Sequence, residues 1–222
     1  MTQITAALAI VGTALSASAS VTPFTETFSN DPSDWTSSNR GALSWFSTGA
    51  LDGSSYVSGS ADLNTAGPFG LTLLRGEADD MASGGAFVGN YLTSGITTIE
   101  FDIRHNAGID LDIAIRLASP TNMQGIAVQT GYLVASGEWT HVSFDLSFGN
   151  PLLSLEGPPS LAFYEQSMSS IGNLQVSTIR PDGLQTPLVA DFDLDNVQIT
   201  PTPGSAALLG LGMLGATRRR RS

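Results

Sequence analysis

The aspartates near the C-terminal end of the chain stand at a spacing that could bind a metal ion. The segment 191–195 reads Asp-Phe-Asp-Leu-Asp, and oxygen ligands at alternate positions also begin the calcium loop of an EF-hand. Such a loop needs a glycine at its sixth position and a glutamate at its twelfth, where this chain has Asn196 and Thr202. The segment is therefore not an EF-hand.

The alternating apolar residues of this segment indicate a β-strand instead. Phe192 and Leu194 share one parity, whereas Val197 and Ile199 share the parity of the aspartates. A β-bulge near Asp195-Asn196 would restore the alternation and re-aim the side chain of Asp195.

Catalytic signatures are absent from the sequence. There is no Gly-x-Ser-x-Gly, no His-Glu-x-x-His and no phosphate-binding loop. The two histidines, His105 and His141, fit surface or loop positions better than ligand positions. Carboxylate pairs such as Asp79-Asp80, or Asp102 with Asp112, could serve a glycosidase. Because 20 acidic residues make some pairing inevitable, a solvated surface is the favoured interpretation.

Aromatic residues in short polar contexts could stack on sugar rings. The candidates are Trp35, Trp45 and Trp139, together with Tyr56, Tyr91 and Tyr132. An aromatic residue in a sandwich more often fills the core, so the sequence leaves both roles open.

In the segments that must position these residues, apolar side chains recur at every second position. Apolar and polar residues alternate over 99–103, 109–117 and 142–146, and further strands are predicted at 43–48, 85–92, 125–134, 161–164 and 189–199. Asn106-Ala107-Gly108 predicts a hairpin-type connection between the first two. About nine short strands without a long helix favour one all-β domain over 20–200, an antiparallel two-sheet sandwich.

The chain is strongly acidic. It has 222 residues, with 20 Asp and Glu against 9 basic residues, all of them Arg, and a net charge of −11. Four arginines stand at the C-terminal end, so the rest of the chain carries −15. A domain with this negative charge repels phosphates, which argues against nucleic acid as a partner. The absence of cysteine excludes disulfides and thiolate metal sites.

The N-terminal segment has the form of a signal peptide. An apolar run over 4–15 leads to Ala17-Ser18-Ala19, a small-x-small cleavage site. No Lys or Arg precedes the run, so the α-amino group is the only positive charge there. We expect export and removal of residues 1–19, and the alternative is an apolar core helix.

The C-terminal segment 201–222 has three parts in a fixed order. A Pro-x-Pro-Gly motif precedes an apolar run over 205–217, which a run of arginines closes; the motif and basic residues are Pro201, Pro203, Gly204, Arg218, Arg219, Arg220 and Arg221. Thirteen helical residues rise roughly 20 Å, short of a bilayer core of about 30 Å. Such a short hydrophobic helix would hold in a membrane only marginally, with the arginines cytoplasmic.

This end resembles the PEP-CTERM sorting signal of Gram-negative bacteria, with Thr202 where that family usually has Glu. The resemblance implies that export machinery and an exosortase-type enzyme handle the chain. It also implies transient retention in the inner membrane, followed by removal of the tail at the cell surface or in the extracellular matrix.

Three segments of the region 20–200 look like the jelly-roll domains of carbohydrate-binding modules, and the N-terminal half of this region is similar to laminin-B-type domains. They are 28–35 with its acidic turn and Trp, 137–146 with its Trp-led strand, and the closing strand 191–199. Modules of this kind often carry a structural Ca²⁺ between the first and last strands. The resemblance implies Glu26 and Asp195 as tentative ligands, with Asp31 or Asp34 in reserve, and a charged strand face is the alternative.

These observations lead to one functional hypothesis and two alternatives. We expect an exported, surface-sorted, non-catalytic jelly-roll domain that acts as a binding or matrix protein, with an extracellular polysaccharide as its candidate ligand. The alternatives are a polysaccharide-acting hydrolase or lyase on the same sandwich, and a matrix subunit without a small ligand.

Overall fold

The computed structural model describes residues 20–65, 71–179 and 188–201. Its strands in chain order are β1 (Phe24–Glu26), β2 (Thr36–Ser37), β3 (Ser44–Phe46), β4 (Tyr56–Asp62), β5 (Leu71–Glu77), β6 (Ile96–His105), β7 (Leu111–Ala118), β8 (Gly125–Val134), β9 (Thr140–Asp145), β10 (Leu153–Leu155), β11 (Asn173–Thr178) and β12 (Val189–Pro201). Two helices, α1 (Tyr91–Ser94) and α2 (Leu161–Met168), and 3-10 turns at Leu63–Thr65 and Ala82–Gly85 complete the described elements.

The strands form two antiparallel sheets, which confirms the predicted jelly-roll sandwich. The first sheet has the order β3-β4-β12-β6-β9, with β1 also paired to β12, and the second has the order β10-β8-β7-β11-β5-β2. Within the first sheet, β6 lies along one side of β12, and β4 followed by β1 lie along the other. The last strand therefore ties the beginning of the chain to its middle.

The core lies between the sheets and is built from the inward-facing residues of each strand. Ile99, Phe101 and Ile103 of β6 are fully buried, as are the apolar residues of β7. At one end, Trp35 packs edge-to-face against Phe28 at 5.8 Å and Phe87 at 5.6 Å between ring centroids. Burial of such side chains supplies the main stabilising term of the fold.

Most predicted strands exist, but the segments 85–92 and 161–164 do not form strands. The segment 85–92 begins at the last residue of a 3-10 turn, forms only isolated bridges at Gly89 and Asn90, and enters α1, where the Asn90 side chain accepts a hydrogen bond from the Thr93 N–H. The segment 161–164 begins α2, whose N-cap Ser160 accepts from the Phe163 N–H. A short apolar run is compatible with either a strand or a helix. In both segments a capping side chain stabilises the start of a helix. The residues 28–35 contain no strand and connect β1 to β2.

The predicted hairpin at 106–108 is wrong. β6 belongs to the first sheet and β7 to the second, so Asn106, Ala107 and Gly108 carry the chain from one layer to the other. Six strands were not predicted: β1, β2, β4, β5, β10 and β11. Three of them, β1, β2 and β10, have only two or three residues, and Gly59 and Gly76 interrupt the apolar alternation of β4 and β5.

The predicted bulge in β12 is confirmed. The pairing of β12 with β6 shifts register between Asp195 and Gln198, and Asn196 has a φ of 52°. As a result, the two apolar pairs on either side of the bulge all reach the core: Phe192, Leu194, Val197 and Ile199 are each 0% exposed.

Both terminal signals lie outside the described residues, apart from Pro201, which ends β12 opposite Ile96. The signal segment 1–19 and the tail from Thr202 onward are thus not described. Among the residues of the described ranges, no helix has the length and apolar character needed to cross a membrane.

Candidate functional site

The outer face of the first sheet carries polar and aromatic side chains in cross-strand rows. One row runs through Ser44, Ser58, Asp193 and Arg104, since Ser58 pairs with Ser44 on one side and Asp193 on the other, and Asp193 pairs with Arg104. These residues have the parity opposite to the core residues, so they point away from the sandwich.

Three aromatic rings and one guanidinium form a cluster on this face. Phe46 and Tyr56 are stacked, with ring centroids 4.8 Å apart and an interplanar angle of 9°, and Trp139 meets Tyr56 edge-on at 5.5 Å. The Arg104 guanidinium carbon lies 5.4 Å from the Tyr56 centroid and 4.9 Å from that of Trp139. Cation–π attraction holds the guanidinium against these rings.

An ion pair fixes the orientation of this guanidinium. Arg104 donates from Nε at 2.8 Å and from Nη2 at 2.7 Å to Oδ2 of Asp193. Both side chains are partly exposed, at 30% and 14%. The pair is thus open to a ligand on one side and held by its neighbours on the other.

A second carboxylate lies beside the pair and has only neutral donors. Asp191 is exposed and accepts from the Ser60 hydroxyl through Oδ1 and from Asn106 Nδ2 at 2.9 Å through Oδ2. The Asp191 N–H donates in turn to Asn106 Oδ1 at 2.8 Å.

Two adjoining hollows make this part of the face a groove. One of about 400 Å³ is lined by Arg104, His105, Asn106, Gly137 and Asp193, and the other, of about 470 Å³, by Asn39, Gly41 and Ser60. Both are bounded by Phe46, Ser58 and Asp191. Aromatic faces with a few convergent polar groups are typical of small-ligand sites; we name this surface the outer groove.

The other part of the face is covered by the loop 47–55 between β3 and β4. Trp139 Nε1 donates to the Gly49 carbonyl at 2.9 Å, and the Ser54 hydroxyl donates to Asp195 Oδ2 at 2.8 Å. The Ser55 hydroxyl donates to the Thr27 carbonyl at 3.3 Å. These contacts close the loop over the bulge and leave the outer groove open beside it.

Asp195 is buried beneath this loop with one oxygen unpartnered. The residue is 0% exposed, and Oδ1 is the one buried side-chain nitrogen or oxygen in the described ranges without a hydrogen-bond partner. Burial raises the pKa of this carboxyl to about 6, and the charges of Asp52 and Asp102 act in the same direction. An ionised carboxylate here needs a positive charge that the neighbouring side chains do not supply.

Glu26, the second predicted metal ligand, lies next to the bulge. It pairs with the core residue Val197 and is 9% exposed, so its side chain lies on the inner face of the sheet, whereas Asp195 lies on the outer face beneath the loop. Its Oε1 accepts from the Phe28 N–H at 2.8 Å. No three Asp, Glu or His side chains of the described residues are grouped as a metal site. A calcium ion at Asp195 would therefore need main-chain carbonyls, which Ca²⁺ accepts readily.

Hydrogen bonds link the bulge to the exposed histidine. Asp102 accepts from Asn196 Nδ2 at 2.9 Å, and its other oxygen lies 2.8 Å from His141 Nδ1. His141 is half exposed on the outer face, as predicted, whereas His105 is 1% exposed and bonded to the Val134 carbonyl at 3.1 Å. The prediction of a surface position for His105 is wrong, and burial lowers its pKa.

The structure separates the predicted aromatic candidates. Trp35 is 1% exposed and its rings are covered in the core, so it offers no face to a ligand, and Tyr91 is also fully buried. Trp45 is 37% exposed, but it has the opposite parity to Phe46 and its Nε1 donates to the Phe28 carbonyl. Only Trp139 and Tyr56 belong to the cluster at the outer groove.

The remaining acidic candidates are dispersed. Asp102 belongs to the first sheet and Asp112 to the second, so they do not form a carboxylate pair. Asp80 interacts with Thr36 and Arg40. The reserve metal candidates Asp31 and Asp34 line a separate hollow of about 550 Å³.

The sequence did not predict a site role for Phe46, Arg104, Asn106 or Ser60. The first three lie at strand ends, and β4 was not predicted at all. Pairing of β4 with β12 brings these residues together, and no spacing along the chain reveals that pairing.

No protein-family model matches the chain, and no curated protein matches it. Several solved structures are similar to it. The CBM22-1 xylan-binding domain of Paenibacillus barcinonensis Xyn10C has a TM-score of 0.45 and 14% identity, over 82% of this chain and 96% of that one. The C-terminal family 22 carbohydrate-binding module of Clostridium thermocellum Xyn10B has a TM-score of 0.46 and 11% identity, over 81% and 94%.

Two further similarities differ in coverage. The L4b domain of human laminin alpha-2 has a TM-score of 0.38 and 11% identity, over 72% of this chain and 98% of that one. A Clostridium thermocellum xylanase 10B chain with CBM22-1 and GH10 modules has a TM-score of 0.46 and 14% identity; this chain spans 28% of its length. At these identities and TM-scores, a ligand must be inferred from the chain's own residues.

The unpartnered oxygen of Asp195 predicts a pH-dependent stability. The folded pKa of about 6 exceeds the ordinary value of 3.8, so the unfolded chain loses this proton first as the pH rises. Between about pH 4 and pH 6 the carboxyl therefore makes unfolding progressively easier. With a chelator present, Asp195→Asn should raise the Tm at pH 7.5 by a few degrees, at about 2–4 °C per kcal/mol.

Thermal unfolding of both proteins across this pH range provides the measurement. The two Tm values should converge at pH 4, where both side chains are neutral. A Tm difference independent of pH would show that Asp195 is not destabilised by its charge.

Proposed function

We propose that this chain is an exported, non-catalytic binding domain whose outer groove holds an extracellular polysaccharide. The observation that carries the proposal is the stacked Phe46–Tyr56 pair beside the Arg104–Asp193 ion pair in an open groove. Phe46 is 43% exposed, so part of its ring is available to the apolar face of a sugar.

The polar groups of the groove suit sugar hydroxyls. A carboxylate accepts and a guanidinium donates in a fixed geometry, and together they can bind adjacent hydroxyl groups. The groove lies across the sheet and is open at its surface, which fits a chain of sugars better than a compact ligand.

The same contacts favour binding over catalysis. A glycosidase needs one carboxyl that delivers a proton and a second that attacks or activates water. Asp193 is ion-paired to Arg104, and Asp191 is held by Ser60 and Asn106. This arrangement fixes two acceptors in place. The alternative, a hydrolase or lyase, predicts release of reducing ends from a polysaccharide panel, lost on substitution of one carboxylate.

Binding through the outer groove predicts that aromatic substitutions weaken polysaccharide retention. Phe46→Ala and Tyr56→Ala should each reduce affinity about tenfold, because stacked aromatic contacts contribute about 0.5–1.5 kcal/mol beyond the area that they bury. Affinity electrophoresis in gels containing xylan, hydroxyethyl cellulose, chitosan or alginate measures the effect.

Tyr132→Ala is the matched control, since Tyr132 is 48% exposed on the second sheet. It should leave retention unchanged. Retention that survives Phe46→Ala and Tyr56→Ala, or none on any polysaccharide, would contradict a glycan-binding groove.

We further propose that calcium stabilises the domain at the β12 bulge, with Asp195 as its carboxylate ligand. Support comes from the buried, unpartnered Asp195 oxygen and from the excess of negative charge on the body. A divalent cation there would supply the missing positive charge, with main-chain carbonyls completing its coordination.

Calcium should raise the Tm by roughly 5 °C at a free concentration 100-fold above its Kd, a stabilisation of about 2.7 kcal/mol. Magnesium should not, because it demands stricter octahedral geometry. Asp195→Asn should remove the effect, and Asp31→Asn should keep it. Equal shifts from both ions would identify non-specific screening instead.

The terminal segments support export and sorting as the route to the cell surface. The order of Pro-x-Pro-Gly, apolar run and arginines favours removal of the tail by an exosortase-type enzyme. The intact mass of surface material should lack Arg218–Arg221, and a mass that includes them would rule out this processing.

A further inference from the structure

We infer that the outer groove prefers polysaccharides that carry free amino groups over neutral ones, and neutral ones over those with carboxylates or sulfates, with Asp191 as the specificity-determining residue. This inference rests on the proposed polysaccharide-binding function of the same groove. It concerns the charge of the ligand, which the aromatic contacts leave undetermined.

The charged groups that line the groove differ in whether a partner of opposite charge neutralises them. Asp193 and Arg104 neutralise one another. His105 is buried, its Nε2 faces the Val134 carbonyl, and burial lowers its pKa, so it adds no positive charge at neutral pH. Asp191 is then the one lining group in the described part of the groove whose charge has no cationic partner.

The Asp191 carboxylate is also held in a fixed position by hydrogen bonds from its neighbours. The Ser60 hydroxyl and Asn106 Nδ2 each bind one of its oxygens, and neither donor carries a charge. These bonds fix the carboxylate at the junction of the two hollows without neutralising it. Each carboxylate oxygen can accept a further hydrogen bond, which a sugar ammonium could donate.

The rest of the described chain gives anionic ligands no alternative. Arg40 binds both Glu77 and Asp80, Arg75 also binds Glu77, and Arg116 binds Glu156. With 20 acidic residues against 9 basic ones, long-range repulsion opposes the approach of an anionic polysaccharide and favours a cationic one.

Two hexasaccharides with the same backbone test the inference. The β-1,4-linked hexamers of glucosamine and of N-acetylglucosamine differ at the nitrogen and in its charge. Calorimetry in mildly acidic, low-salt buffer should give about three- to fivefold tighter binding for the glucosamine hexamer, the upper part of the range of an exposed ion pair. The preference should shrink in high salt. A hexamer of uronic acid should bind weakest.

Matched variants separate a local contact from general attraction. Asp191→Asn should bring the two hexamers to within about twofold, whereas Asp79→Asn, which removes the same charge from an exposed residue that does not line the groove, should preserve the preference. Equal loss in both variants would overturn the role of Asp191. Binding of a lysine hexamer as tight as that of the glucosamine hexamer would overturn recognition of an amino sugar.

The inference and the proposed function can fail separately. Retention of a neutral polysaccharide that Phe46→Ala abolishes, without any preference between the hexamers, would refute the inference and leave the function standing. Absence of binding to every saccharide tested would refute both.

Discussion

The fold and its candidate sites depend on one extra residue in the last strand. Without the bulge at Asp195-Asn196, the alternation of β12 would place either Phe192 and Leu194 or Val197 and Ile199 in solvent, in the strand at the centre of the first sheet. Burying both pairs gains several kcal/mol of apolar transfer free energy. The cost is a carboxylate buried at the bulge with one oxygen unpartnered.

The bulge also divides the outer face of the sheet into two regions. The loop 47–55 covers the region that contains Asp195, through contacts of Gly49 and Ser54 with Trp139 and Asp195. Beyond the loop, the face stays open and forms the outer groove. Trp139 belongs to both regions, because its indole anchors the loop while its ring supports Arg104. The stability of the covered region and the geometry of the groove are thus coupled through shared side chains.

Sequence periodicity predicted the all-β sandwich and the bulge, because both follow from which residues must avoid water. The helix at 161–168 and the layer crossing at 106–108 were missed, since capping and topology depend on contacts between distant segments. The same holds for the site. Asp195 and Trp139 stood out by spacing or residue type, whereas Phe46 and Arg104 became candidates only when cross-strand pairing placed them around one groove. Trp35 shows the opposite error: its polar sequence neighbours made it a candidate for ligand binding, but it is buried in the core.

The three tryptophans allow a direct test of the account, because their indoles lie in the core, at the sheet edge and beside the outer groove. Trp35, Trp45 and Trp139 give separate indole N–H signals in a proton–nitrogen NMR spectrum, which Trp→Phe variants assign. On titration with the glucosamine hexamer, the account predicts that the Trp139 signal moves in a saturable way and that the Trp35 signal stays fixed. Saturable binding that leaves Trp139 unmoved, or that moves Trp35 or Trp45 instead, would contradict a ligand site in the outer groove.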